Sequence, residues 1–385
     1  PERVRRSAST PFAANAAPLV SPARAAKVRP SNVTDTATPG GGAGRGLRGE
    51  TGIASLGRAF SSDGQVDAAP PVWNARAPRS RSQETPLKRF RGTYTVLVTP
   101  FTPDGAAVDL AALARLVEFQ IAGGIHGLIL LGSTGEFLSI TPDERRAVVE
   151  TVVKTAAGRV PVLVGTGAEW TRDAVHMSRE AEALGADGVM VIPPFYSVPT
   201  ADELYVHYKA IADAIGIPIM VYNNPATANV DLTPDIVARL STIPNCSYIK
   251  ESTLDVTRVR EIIRLCGERM TVFAGVLGFE SFWLGAEGWV AVCSNVAPRL
   301  SAALFEASAD RRDVIEARAI HARLVPLLPF VGGPRYVSGT KAAFEMMGMP
   351  MGPPRPPRLP LPEADRPALR AVLADLGLLP AARAA

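Results

Sequence analysis

The chain has 385 residues, 47% hydrophobic and 20% charged, which suits one domain of roughly 250–300 residues with extensions, or two ordinary domains. No run approaches the ~18 uninterrupted apolar residues of a membrane span, which excludes an integral membrane protein. The net charge of +4 is misleading: residues 1–87 hold 12 basic and six acidic residues and the rest holds 29 and 31, so the body carries no electrostatic footprint for nucleic acid.

Residues 1–89 form the first segment. They are rich in Ala, Pro, Gly, Ser and Arg, carry no sustained period of 2 or 3.6, and are punctuated by Gly40-Gly41-Gly42 and Pro70-Pro71. Such a segment cannot bury enough apolar surface to offset its ordering entropy, so a disordered tail is expected. Its Arg- and Ser-rich, acid-poor composition is also that of an organellar transit peptide. The blander expectation is a poorly ordered extension or sequence upstream of the true start. No continuous apolar leader follows a basic start, which argues against secretion. Three scattered cysteines, Cys246, Cys266 and Cys293, suit a reducing compartment, and a cytoplasmic location is expected.

From residue 93 the texture changes. Short β-branched runs, Tyr94–Val98, Gly127–Leu131, Pro161–Val164, Gly188–Ile192, Pro218–Tyr222, Tyr248–Lys250, Thr271–Phe273 and Trp289–Cys293, alternate with helical stretches. Their continuous apolar character predicts strands buried on both faces of a parallel sheet. Helix starts fall between them: Thr141-Pro142-Asp143-Glu144 and Thr200-Ala201-Asp202-Glu203 read as capping boxes, and Thr233-Pro234 as a cap followed by proline. Leu110, Leu113, Val117 and Ile121 lie at helical spacing. The echo Gly124–Gly127, Gly185–Gly188 and Gly285–Gly288 at strand entries reads as helix C-terminal glycines followed by tight turns.

Eight strands in about 200 residues match an α/β (βα)8 TIM barrel better than a doubly wound sheet, because no G-x-G-x-x-G follows the first strand. The barrel is expected over 90–300. Helical stretches near 310–327, 336–347 and 364–377 predict a small C-terminal helical extension over 301–385.

In such a barrel the residues just after the C-terminal ends of the strands face the active site. Reading those positions gives Thr99-Pro100, Gly132–Glu136, Pro193–Tyr196, Tyr222–Pro225, Lys250-Glu251-Ser252, Gly275 and Ser294-Asn295. Lys250 ends a strand expected to be buried. Burial disfavours an ammonium ion and frees an amine to attack a carbonyl; the competing reading pairs Lys250 with Glu251 or lets it reach solvent. Tyr222 ends the preceding strand, where a phenol can shuttle protons for that amine or simply pack in the core. Gly132-Ser133-Thr134-Gly135 offers backbone N–H groups and two hydroxyls to a carboxylate, and reads equally well as a polar turn. His126, His176, His207 and His321 are dispersed, with no metal-ligand spacing, so no metal is expected; no Walker A or G-x-S-x-G occurs, and no other cofactor is expected.

These stretches, with the opening Val98-Thr99-Pro100-Phe101 and the late Ser294-Asn295-Val296-Ala297-Pro298, carry a resemblance. Over about 90–380 the chain resembles the dihydrodipicolinate synthase / N-acetylneuraminate lyase family of Schiff-base-forming (βα)8 enzymes. The resemblance implies that Lys250 forms an imine with the 2-oxo group of pyruvate or a pyruvate-like acid and that Tyr222 is the proton donor and acceptor. It implies that Ser133 joins the proton relay, Thr134 binds the substrate carboxylate and the Val290 backbone lies against the pyruvate moiety. Tyr196 matches a tyrosine that completes the relay from a neighbouring subunit, so a homo-oligomer, tetramer or dimer, is expected. In the synthase an arginine two residues after Tyr-Asn-x-Pro binds the carboxylate of the incoming aldehyde; Thr227 stands there, and threonine makes no bidentate charged contact.

The function the resemblance implies is therefore a carbon–carbon or carbon–oxygen lyase acting on a pyruvate-type 2-oxo acid through a lysine Schiff base, as an aldolase or dehydratase of a 2-keto-3-deoxy acid. The alternative is 4-hydroxy-tetrahydrodipicolinate synthase, which condenses pyruvate with aspartate semialdehyde. A non-catalytic 2-oxo-acid-binding barrel conflicts with the joint presence of Lys250, Tyr222, Ser133 and Thr134. No nucleic-acid or membrane partner is expected, beyond the open question of a polyanion held by the basic tail.

Overall fold

A computed structural model describes residues 89–380. The expected tail lies outside the described residues, Arg89 apart, as do residues 381–385. Eight βα units follow in order: β1 (Gly92–Val96), α1 (Leu110–Ala122), β2 (Gly127–Leu130), α2 (Pro142–Ala156), β3 (Val162–Gly165), α3 (Thr171–Ala183), β4 (Gly188–Val191), α4 (Ala201–Ala212), β5 (Ile219–Asn223), α5 (Pro234–Leu240), β6 (Cys246–Glu251), α6 (Thr257–Cys266), β7 (Thr271–Ala274), α7 (Gly278–Trp283), β8 (Gly288–Ala291) and α8 (Pro298–Phe305). Each strand pairs in parallel with the next, and β8 returns to β1 through registers such as Thr93 opposite Trp289, closing the barrel. The three extra helical stretches are α9 (Val314–Leu324), α11 (Tyr336–Met346) and α12 (Arg366–Asp375), with the one-turn α10 (Leu328–Val331) between the first two. Among the described residues, no helix is long and apolar enough to cross a membrane.

Local chemistry accounts for the helix starts. Thr141 Oγ1 accepts from Glu144 N at 3.3 Å while Glu144 Oε2 accepts from Thr141 N at 3.0 Å, and Thr200 and Glu203 repeat the reciprocal pair. At α5 the Thr233 hydroxyl makes no capping bond, so the start there rests on the fixed φ of Pro234. In α1 the buried face is Ala112, Leu113, Leu116, Val117 and Gln120 rather than a stripe through Leu110. A buried glutamine escapes a hydrophobic count. Gln120 belongs to the seam between β8 and β1, where its Nε2 donates to Asn295 O at 2.9 Å and its Oε1 accepts from Thr95 Oγ1 at 2.7 Å. Asn295 Nδ2 donates to Val96 O at 2.7 Å, so Ser294-Asn295 closes the barrel rather than lining its mouth.

The glycine echo has two causes. Gly124, Gly185 and Gly285 take φ of 80°, 90° and 101°, where an L side chain is strained. The second glycine of each set opens a strand and faces the barrel interior, and a Cβ there would lie 2.2 Å from Tyr94 at Gly127, 2.9 Å from Phe90 at Gly188 and 2.1 Å from Phe273 at Gly288. Phe90, Tyr94, Tyr248 and Phe273 thus fill the N-terminal half of the barrel with tilted and edge-on ring contacts, and Met190, Met220, Leu163 and Ile129 pack in the same cluster. A second apolar layer lies between the strands and the surrounding helices. The aromatic plug blocks one end of the barrel, so polar interior side chains appear at the other.

Candidate active site

β5 and β6 are registered so that Met220 lies opposite Tyr248 and Tyr222 opposite Lys250. Side chains two apart on a strand share a face, so Tyr222 and Lys250 point into the barrel above the aromatic plug. Lys250 is 7% exposed and Tyr222 5%. Lys250 Nζ sits 3.9 Å from the centroid of the Tyr222 ring. Glu251 points to the opposite face, where its carboxylate accepts from Asn223 Nδ2 at 3.0 Å and Thr253 N at 2.8 Å. Lys250 is therefore not Glu251's ion-pair partner, and it has no carboxylate partner among the described residues.

The phenol of Tyr222 accepts from Asn224 Nδ2 at 3.0 Å. Burial pushes its pKa up, but the Lys250 charge, with hydrogen bonding from Asn224, Lys250 and Ser133, outweighs burial and holds it below the usual tyrosine value. Such a phenol gives and regains a proton more readily than an ordinary buried tyrosine.

The Gly132–Glu136 loop follows β2 and brings Ser133 to this phenol. Both residues flanking its Gly-Ser-Thr-Gly core, Leu131 and Glu136, take φ of 56°, in the left-handed region. Gly165 at the end of β3 makes that turn possible, since a Cβ there would lie 2.2 Å from Leu131 O. Three contacts hold the strained loop: Thr99 Oγ1 donates to Gly135 O at 2.8 Å, Arg355 N donates to Glu136 Oε2 at 2.9 Å, and Lys341 Nζ lies 2.8 Å from Glu136 Oε1. The last is an ion pair with side chains 3% and 0% exposed. Burial pushes the Lys341 ammonium down to about 8, against the pull of Glu136. Thr134 is buried, with its hydroxyl in no hydrogen bond to a described residue.

Val290 is fully buried in the interior cluster that also contains Tyr222. Thr227 is exposed at the mouth, where its Oγ1 donates to Asn224 O at 3.3 Å. It helps line a 150 Å³ cavity with Ser133, Glu136, Phe195, Tyr336 and Arg358. Tyr196 is not brought to Lys250 within the chain: its side chain is 85% exposed. Its loop is nevertheless fixed, because the Glu169 carboxylate accepts from the backbone N–H groups of Phe195, Tyr196 and Ser197 at 2.9, 3.0 and 2.9 Å. Among the described residues, no group of three or more His, Cys, Asp or Glu side chains is arranged to hold a metal ion.

Asn224 as a partner of the phenol, and everything the C-terminal extension brings to the mouth, are not among the expectations drawn from the sequence. Lys341 carried a signal, being the only cation in a helix, α11, whose other residues are mostly small or apolar and buried. Arg355 and Arg358 sit in a proline-rich stretch whose path no periodicity predicts.

A buried lysine against a tyrosine ring at the open end of a closed parallel barrel suits the chemistry of the Schiff-base-forming lyases. Residues 89–376 match the dihydrodipicolinate synthetase family, and the chain belongs to it. It is 40% identical over 299 residues to the 4-hydroxy-tetrahydrodipicolinate synthase of Nitrobacter hamburgensis, a match covering 76% of this chain and 98% of that one. Against the synthase of Sorangium cellulosum it is 42% identical over 281 residues, 71% and 92% of the two chains. Among solved structures, dihydrodipicolinate synthase from Aquifex aeolicus superposes with a TM-score of 0.71 at 36% identity, covering 75% of this chain and 99% of that one. The pyruvate complex of the enzyme from Acinetobacter baumannii gives 0.71 at 35% identity with the same coverage. The protein is thus a lyase of this family, acting on a pyruvate-type 2-oxo acid through a lysine Schiff base.

Proposed function

We propose that the protein condenses pyruvate with aspartate semialdehyde, the reaction of a 4-hydroxy-tetrahydrodipicolinate synthase, with Lys250 as the nucleophile. The imine half rests on Lys250 Nζ, buried at the barrel mouth and 3.9 Å from the Tyr222 ring centroid, with no carboxylate partner among the described residues. What favours the condensation is the 40–42% identity to 4-hydroxy-tetrahydrodipicolinate synthases over nearly their whole length. Lys250 Nζ, in its unprotonated form, adds to C2 of pyruvate, and Tyr222 gives a proton to the departing oxygen, which leaves as water from the carbinolamine. The resulting iminium withdraws electrons from C3, which loses a proton and becomes the nucleophilic carbon of an enamine. C3 then bonds to the aldehyde carbon, and the aldehyde oxygen takes a proton through Tyr222 and Ser133. Attack of the substrate's own amine on C2 releases the lysine and closes the ring. Thr134, buried with an unused hydroxyl, is the proposed ligand of the pyruvate carboxylate, and Val290 the wall behind it.

The same enamine serves aldol cleavage or dehydration of a 2-keto-3-deoxy acid, and Thr227 favours that second reading because it supplies no cation for an aldehyde's carboxylate. A direct comparison separates the two. The proposal expects turnover of pyruvate with aspartate semialdehyde to exceed cleavage or dehydration of 2-keto-3-deoxy sugar acids by the same preparation; the reverse order overturns it.

Assembly belongs to the proposal. Leu138, Tyr196 and Val198 are large apolar residues standing exposed beside the mouth, and a second copy covering them would bring Tyr196 to a neighbouring site. Three buried free thiols suit a cytoplasmic location, with the barrel over 90–300 acting as the catalytic unit and 301–385 as its extension.

A further inference from the structure

We propose that Arg358, carried by the C-terminal extension, receives the distal carboxylate of the second substrate, so that the site selects short aldehydes bearing a carboxylate over neutral ones. This rests on the reading that Lys250 holds the pyruvate half.

Three cations of the extension point at the barrel mouth, and two are already neutralised. Lys341 is paired with Glu136 at 2.8 Å, and Arg355 reaches both carboxylate oxygens of Glu144 at 2.8 and 2.5 Å. Arg358 is in no ion pair among the described residues. Its guanidinium carbon lies 6.0 Å from the Tyr336 ring centroid. Burial raises the Tyr336 phenol, and the charge and hydrogen bonding of Arg358 partly offset that rise. A half-buried guanidinium, still holding free N–H donors, lacks the counter-charge its neighbours have. The planar fork of an arginine matches a carboxylate bidentately.

The cavity's position joins this cation to the chemistry. Ser133 and Thr227 line the same 150 Å³ cavity as Arg358 and Tyr336. Ser133, Phe137 and Ile192 also line the small void against Tyr222, so the cavity that holds Arg358 and the void at the phenol share three walls. The cavity's apolar wall, Phe137, Ile192 and Phe195, suits a short carbon chain, and the acidic residue in it, Glu136, has its charge met by Lys341. A molecule with a reactive carbon at Lys250 and a carboxylate at Arg358 satisfies both ends. Thr227, which lines the same cavity, is then relieved of a charged role, since the guanidinium arrives from the extension.

The test uses the full chain with Arg358→Ala, Arg358→Gln and Arg358→Lys. Initial rates are measured with pyruvate and either aspartate semialdehyde or propanal, alongside borohydride trapping of pyruvate on Lys250. Loss of a bidentate charged contact predicts a fall of about 10- to 100-fold in kcat/KM for aspartate semialdehyde in the Ala and Gln variants, chiefly through KM. Trapping and the propanal rate stay within about threefold of the parent, Arg358→Lys recovers part of the loss, and Thr227→Arg restores activity to R358A by returning a guanidinium to the cavity. Unchanged kcat/KM for aspartate semialdehyde, or an equal loss with propanal, overturns the role of Arg358 while the Lys250 reading stands. Absence of trapping in the parent protein overturns the Lys250 reading, and this inference with it.

Discussion

Replacing Arg355 with alanine tests how the extension is fastened to the barrel. Its guanidinium donates to Glu144 Oε2 and Oε1 at 2.8 and 2.5 Å and to the carbonyls of Gly105, Ser139 and Ala106 at 3.1, 2.6 and 3.0 Å. The arginine and glutamate side chains are 13% and 18% exposed, so this is a half-sheltered clamp rather than a surface pair. A charge-assisted bidentate contact contributes about 1.5–3 kcal/mol, and the stranded carbonyls, partly rescued by water, add roughly 1 kcal/mol more. Arg355→Ala should therefore destabilise the fold by about 3 kcal/mol in urea unfolding at pH 7. The clamp also leaves a signature in pH. Hydrogen bonding from Arg355, against a smaller burial effect, holds the Glu144 carboxyl down at about 2 from its usual 4.5. A lowered carboxylate contributes stability that is fully present above 4.5 and is lost as pH falls toward 2. After allowance for solvent screening, the parent should lose about 1 kcal/mol more than R355A between pH 6 and pH 3. A cost below about 1 kcal/mol at pH 7, or identical acid profiles, would refute the clamp.

Other outcomes follow from the same geometry. Lys341→Met strands the buried Glu136 carboxylate and should cost about 3–5 kcal/mol, whereas Lys341→Met with Glu136→Gln should recover most of it; additive losses in the double-mutant cycle would show that the pair is not coupled. Tyr222→Phe should lower kcat by roughly 10²- to 10⁴-fold while the protein still binds pyruvate, because only proton transfer is lost. If Tyr222 is the proton donor proposed, its lowered pKa should place the alkaline limb of the parent's kcat profile below pH 10. A limb that persists unchanged in a residually active Y222F variant would point to another group.

The eight strands were legible because each is a short, continuous apolar run bounded by turn residues, and burial on both faces leaves no other reading. Lys250 and Tyr222 were legible because each ends such a run, and the parallel register of β5 and β6 then brings them together. What stayed hidden depends on long-range packing. Gln120 reads as a surface residue until Asn295, 175 positions later, accepts its amide hydrogen. The glycines of Gly127, Gly188 and Gly288 read as turns, and only the closed barrel reveals the aromatic rings they admit. Arg358 stands among prolines, and its relation to Ser133 is set by the Arg355 clamp on Glu144, a contact across 211 residues.

The central claim, that Lys250 is the imine-forming residue, is met most directly by incubating the protein with pyruvate and sodium borohydride and mapping the modified peptide by mass spectrometry. One reduced pyruvate adduct on Lys250, absent without borohydride and absent in Lys250→Ala, is the predicted result. An unmodified Lys250 under saturating pyruvate, or an adduct on another lysine such as Lys341, would contradict it.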